Sequence, residues 1–233
     1  MKGIALIERA LAIDPDYVDA LVEKAQGYVT NVLDGESSDP SANLSTARKA
    51  ADRALQLAPD DIWALRRKAQ ILQAQGDLDG AAALVRQSLE REPLDGYRYR
   101  RLGQIQMAQG HFKDALGSFT TAKQLGGSPP LPVFSQDLAV GLLANDRFPE
   151  AITEAQLARA GWQSDVGSVS EEAWLVLIAA ENENGQDAQA RADLQKFLAT
   201  PRTYCTLAQV QKNRQFATSG KLLDGLRRAG MPA

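Results

Sequence analysis

Apolar residues recur along this chain at helical spacing, in pairs of short amphipathic stretches separated by polar turns. One stretch runs from Ile62 to Gln75 after "PDD", with Leu65, Ala69 and Leu72 on one face. A second runs from Leu78 to Arg91, with Ala81, Leu84, Val85, Ser88 and Leu89 on one face. Pro59 cannot extend the preceding helix, Asp61 is placed to cap the next, and Gly76 supplies the left-handed residue that ends it. The pattern then returns: "AQGDLDGA" (74–81) is echoed by "AQGHFKDA" (108–115), and Tyr99, Leu102, Gly103, Ala115, Phe119 and Ala122 repeat the stripes.

Aligned on the alanine after each turn, Ala47, Ala81, Ala115, Ala151 and Ala190 stand 34, 34, 36 and 39 residues apart, and Pro59 and Pro93 again 34 apart. Such a period marks stacked helix pairs, each too small to bury its own apolar face. Small residues at Ala69, Gly103, Ala81 and Ala115 let antiparallel helices approach closely. Around the repeats, "LDGESSDPSANLS" reads as a long surface loop between helices over 18–32 and 46–57, with Leu44 able to start the second helix early. "GWQSDVGSVSEEAW" reads as another loop, with Ser168 and Glu171 spaced as a capping box. A fourth unit runs over 133–160, with "NDRFPEA" replacing the glycine turn. The last amphipathic segment, Ser219 to Ala229, buries Leu222, Leu223 and Leu226 and ends at Gly230 and Pro232.

The 34-residue period, Gly103 after Leu102, Gly76 and Gly110, Ala81 and Ala115, and Pro15, Pro59 and Pro93 together resemble the tetratricopeptide repeat (TPR). The resemblance implies an all-α right-handed superhelix of antiparallel helix pairs with a C-terminal capping helix, as one array over 1–233. Its parts are a half repeat at 1–15, repeats at 16–59, 60–93, 94–127, 131–161 and 169–200, and a cap at 203–233. The opening "MKGIALIERALAIDPD" matches only the second helix of a unit, so a partner helix is expected upstream. The apolar face at Gly3 to Asp14 is then a candidate for self-association. The ending Gly225, Leu226, Arg227, Arg228, Ala229, Gly230, Met231, Pro232, with the long loop of the first full unit and the order of the units, is similar to the C-terminal repeat region of bacterial adenylate/guanylate cyclase-like and winged-helix transcriptional regulator proteins. That resemblance implies a sensory or assembly role in signalling or transcription regulation.

Composition narrows the chemistry. The chain is rich in alanine, leucine, glutamine and arginine and carries few of the aromatics that favour sheet, which predicts almost no strand. A net charge of -3 gives no overall basic field for nucleic acid. One cysteine and one histidine make neither a disulfide nor the usual protein-ligated zinc site, and no cofactor or metal is expected. No apolar run reaches membrane-spanning length and no export signal is present. The expected compartment is the cytoplasm, or the periplasmic side of a membrane-anchored parent.

His111 falls in an inter-helix turn where the parallel turn holds Asp77, so it reads as a solvated turn residue. Cys205 reads as a partly buried structural thiol, and the acidic pairs at 171–172 and 181–184 as solvated faces or helix-end charges. The chain is expected not to be an enzyme. The resemblance puts the first helix of each pair on the concave surface. Trp63, Arg66, Arg67, Gln70 and Gln73 then lie beside Tyr97, Arg100, Arg101, Gln104 and Met107 in a peptide-binding groove. Its guanidiniums, aromatic rings and amides suit a protein or peptide, of acidic character. The family's carboxylate clamp uses lysines with asparagines; Gln70 and Arg101 stand in their places, so that specificity is not carried over.

Overall fold

In a computed structural model of the chain, the described residues are 2–33, 37–127, 130–165, 170–200, 202–212 and 220–233. They form thirteen helices, with no strand among the described residues. The helices divide into two compact units, residues 1–93 and 94–233.

The first unit holds α1 (Lys2–Ile13), α2 (Val18–Leu33), α3 (Pro40–Leu57), α4 (Ile62–Gln75) and α5 (Leu78–Arg91). Its core is largely alanine: Ala25, Ala47, Ala51, Ala54 and Ala64 are fully buried with Val29 and Ile71, which is what close helix pairing requires. Leu11 of α1 packs on this core, and Ile4 lies against Gly27 of α2. Leu6 and Ile13, on the other face of α1, stay exposed.

The second helix of this pair does not begin near Thr46 after a long loop, as its polar composition predicts. It begins at Pro40. Asp39 is the N-cap, its Oδ1 accepting from the Ala42 N–H at 2.9 Å, and proline sits where its missing N–H costs nothing. Much of the expected loop is therefore an added stretch of helix; residues 34–36 lie outside the described residues.

The second unit holds α6 (Gly96–Ala108), α7 (Phe112–Leu125), α8 (Pro132–Ala144), α9 (Phe148–Asp165), α10 (Glu171–Glu183), α11 (Asp187–Leu198), α12 (Leu207–Lys212) and α13 (Gly220–Ala229). Helix α8 is buried over nearly its whole length, and α10 packs against α9, α11 and α13. Leu222, Leu223 and Leu226 of α13 are buried as expected, and the Leu207 N–H donates to the Pro232 carbonyl at 2.8 Å, tying α12 to the chain end.

Four helix pairs, α4–α5, α6–α7, α8–α9 and α10–α11, turn the same way. The N–H groups of Asp77, His111, Arg147 and Gln186 donate to the carbonyls of Leu72, Gln106, Leu142 and Glu181 at 2.8–3.0 Å, the six-to-one bond of a Schellman turn. The residue ahead of each donor is left-handed: Gly76 (φ 87°), Gly110 (φ 78°), Asp146 (φ 62°) and Gly185 (φ 76°). Asp146 shows how the fourth turn keeps its geometry without glycine, since aspartate tolerates this region better than most residues.

Two further expectations change. Residues 161–165 are not loop; α9 runs on to Asp165. Ser168 of the expected capping box lies outside the described residues. The N-cap of α10 is Ser170, whose Oγ accepts from the Ala173 N–H at 3.1 Å. The Glu171 carboxylate instead accepts from the N–H groups of Thr203 and Tyr204, holding the segment after α11.

Candidate functional site

The ten groove residues fall into two sets of five, one in each unit. In the first unit they lie on α4, whose register separates them. Trp63 is 51% exposed, and the Arg66 guanidinium lies 5.5 Å from the centre of its ring. Arg66 is exposed and makes no hydrogen bond or ion pair with the described residues. Arg67, one residue on, is only 7% exposed. Its Nη1 donates to Gln70 Oε1 at 2.9 Å while its Nε is buried without a hydrogen-bond partner. Burial, reinforced by Arg66 and opposed by Glu23, pulls the Arg67 pKa down to about 10, which leaves it charged at neutral pH. Lys68 is paired with Asp52. Gln73 is half-buried and makes interactions of its own. Of the basic run 66–68, Arg66 alone presents an exposed, unpaired charge.

In the second unit the set lies on α6 and is largely committed inward. Arg100 Nε stands 2.5 Å from Oδ2 of Asp137 on α8, a carboxylate 1% exposed, and Gln104 Nε2 donates to the same oxygen at 3.2 Å. A buried aspartate needs such partners. Arg100 and Gln104 are thus occupied in holding α6 to α8. Met107, expected to line the groove, is fully buried in the core. Arg101 is half-buried and has partners within the structure. Tyr97 is half-exposed and packs on Phe134, ring centres 5.1 Å apart. Of the five positions on α6, Tyr97 is the exposed one.

His111 occupies the N-cap position of α7 but its side chain caps nothing; it is exposed in the turn. Asp77, at the parallel position, does cap, accepting from the Gly80 N–H at 2.9 Å. Cys205 is half-buried, its thiol donating to the Arg202 carbonyl at 3.1 Å. Among the described residues, neither stands in a nucleophile–base arrangement. No cluster of three metal-ligating side chains occurs among the described residues.

One acidic residue departs from expectation. Glu181 does not lie on a solvated face: it is 2% exposed, with Oε2 buried and unpartnered. Burial, then the neighbouring Asp193 charge and a hydrogen bond between the two carboxyls, push its pKa up to about 7 against the pull of Arg159 and Lys196. Burial also pushes Asp193 upward, but bonds from Lys196 (2.7 Å) and Gln189 (2.9 Å) more than offset this and hold it below the usual range. The motif "ENEN" gives no sign of this, because the partners of Glu181 come from α9 and α11.

Solved structures similar to this one include a chain of the APC/C hetero-tetramer Cut9-Hcn1, with a TM-score of 0.71 and 16% identity over 98% of this chain and 42% of that one. PilW, a type IV pilus biogenesis factor, gives 0.65 and 20% identity over 95% and 88%. YrrB, described as a TPR protein with an unusual peptide-binding site, gives 0.54 and 17% over 77% and 90%. The fold is that of the tetratricopeptide repeat proteins. The chain spans less than half the length of the Cut9-Hcn1 chain. No protein-family model matches the sequence, and no curated protein sequence does. The TPR fold accounts for the repeated Schellman turns, the alanine-rich interfaces and the small residue at Gly103.

Proposed function

We propose that this chain is a non-catalytic protein-interaction module whose first helices take up a peptide or a neighbouring domain. The observation that carries this reading is the Trp63–Arg66 pair. A half-exposed indole beside an unpaired guanidinium offers apolar area and charge together, the combination found at the energetic centres of protein interfaces. The shared fold with YrrB, described as having a peptide-binding site, supports the same use. We assign an acidic ligand from the charge of Arg66. Tyr97 of α6 supplies a second aromatic surface.

The test is site-resolved. A blocked, amidated peptide of alternating glutamate and alanine is titrated into the protein while the three tryptophan indole N–H signals are followed by NMR, assigned by Trp→Phe variants. The Trp63 signal is expected to shift, and Arg66→Glu to abolish the shift. An unchanged titration in R66E overturns the groove reading.

On the resemblance of residues 225–232, we further propose that the module is the C-terminal sensory or assembly region of a bacterial cyclase-like or transcriptional regulator, working in the cytoplasm or on the periplasmic side of an anchored parent. Reading the frame upstream of Met1 tests this. A cyclase or winged-helix domain there supports it, and an unrelated domain overturns it. Self-association through α1 is the second reading, favoured by the exposed Leu6 and Ile13.

A further inference from the structure

A cavity of about 420 Å³ in the second unit is lined by Gln156, Arg159, Ala160 and Gln163 of α9, Trp174 of α10 and Arg202 after α11. The four α9 positions form one stripe at helical spacing, and Gln163 belongs to the C-terminal turns by which α9 outlasts the 14-residue second helices α5 and α7. Arg159 stacks on Trp174, its guanidinium carbon 3.3 Å from the ring centre. Trp174 meets Phe197 at 6.3 Å, and the Arg202 guanidinium lies 5.3 Å from the Phe197 ring. Arg202 Nε donates to the Phe197 carbonyl, and its terminal nitrogens make no hydrogen bond with the described residues. Gln156, Arg159 and Gln163 make no hydrogen bond or ion pair with described side chains. The lining thus presents two guanidiniums and two amides against an aromatic face, and no carboxylate.

The geometry points to this cavity as a binding site for the acidic side chain, glutamate or aspartate, of a partner protein segment, separate from the α4 surface. Guanidiniums oriented by stacking are pre-set for paired hydrogen bonds to a carboxylate, and the glutamine amides can take its remaining lone pairs. Glu181 and Asp193 attract Arg159 electrostatically, which helps hold this half-buried cation in place before the ligand arrives. The cavity exceeds one carboxylate side chain in volume, so the residues flanking it are also accommodated, against Trp174.

The same blocked Glu-Ala peptide tests the site through the Trp174 indole signal. That signal is expected to shift in the wild type and in Arg66→Glu. The apparent affinity for this response is expected to fall about tenfold or more in Arg159→Gln and in Arg202→Gln. Circular dichroism melts confirm that both variants fold, and Arg202, outside any helix, is the safer of the two. A Trp174 response of equal affinity in both variants overturns the proposal. So does an equal response to a neutral peptide with a free C-terminus, to inorganic phosphate at matched ionic strength, or to a single-stranded oligonucleotide. Because Trp63 and Trp174 report separately, failure here is distinguishable from failure of the α4 reading.

Discussion

Between the ordinary carboxyl value of 4.5 and about 7, the folded chain keeps on Glu181 a proton that the unfolded chain has already lost. Over that window the native state binds more protons, so stability falls as pH rises; the contribution is fully present below 4.5 and lost as pH passes 7. Glutamine at this position can donate to Asp193 as the protonated acid does, and never ionises. Glu181→Gln is therefore expected to melt close to the wild type at pH 5 and roughly 3–6 °C above it at pH 8. A Tm difference that does not change with pH would show that Glu181 is not titrating there. The contrast with Asp193, one helix away, is instructive. Both are buried carboxyls, but Lys196 and Gln189 satisfy Asp193, whereas one oxygen of Glu181 has no partner.

At the scale of the helix pair, glycine has opposite meanings at two positions of the same hairpin. A methyl group built on Gly103 of α6 would stand 2.5 Å from the ring of Phe119 on α7, and one on Gly141 of α8 would meet the same ring at 2.9 Å. Phe119 is fully buried and has nowhere to move. Gly117, on the exposed side of α7, faces open space. Gly103→Ala is expected to destabilise by about 1–3 kcal/mol, the overpacking cost exceeding the gain in helix propensity. Gly117→Ala is expected to stabilise by about 0.5–1 kcal/mol. Chemical denaturation of the two variants checks both signs. Gly103 was legible in the sequence as a small position because the 34-residue register aligns it with Ala69; the Phe119 ring that requires it to be small was not. The start of α3 and the end of α9 were not: Asp39-Pro40 has the composition of a loop and the geometry of a helix start, and "GWQSD" lacks the apolar period that marks a helix. Trp63 and Arg66 were legible as exposed positions of one first helix. The commitment of Arg100 to Asp137 was not, since the two lie 37 residues apart on different helices, and the same holds for Arg159 beside Trp174.

Among the described residues, many of the buried apolar side chains collect into two clusters that share no member, one within 1–93 and one within 94–233. The first cluster has α1 at its edge, and the two faces of that helix have different fates. Ile4 and Leu11, seven residues apart, pack onto α2 and the core; Leu6 and Ile13, also seven apart, are 64% and 88% exposed. Self-association through α1 must therefore use Leu6 and Ile13. Substituting Leu11, or Ile7 on the half-buried side, would undock the helix from its own unit and confuse folding with assembly. One face of a 12-residue helix offers far less than the roughly 800 Å² per partner of a stable interface, so any such dimer is weak. Light scattering is expected to give a monomer mass at low micromolar concentration and a rise with a dissociation constant on the order of 0.1 mM or weaker. Leu6→Glu with Ile13→Glu is expected to abolish the rise while leaving the thermal melt unchanged, because neither side chain is part of the core. A rise that persists undiminished in this variant would remove α1 as the contact surface.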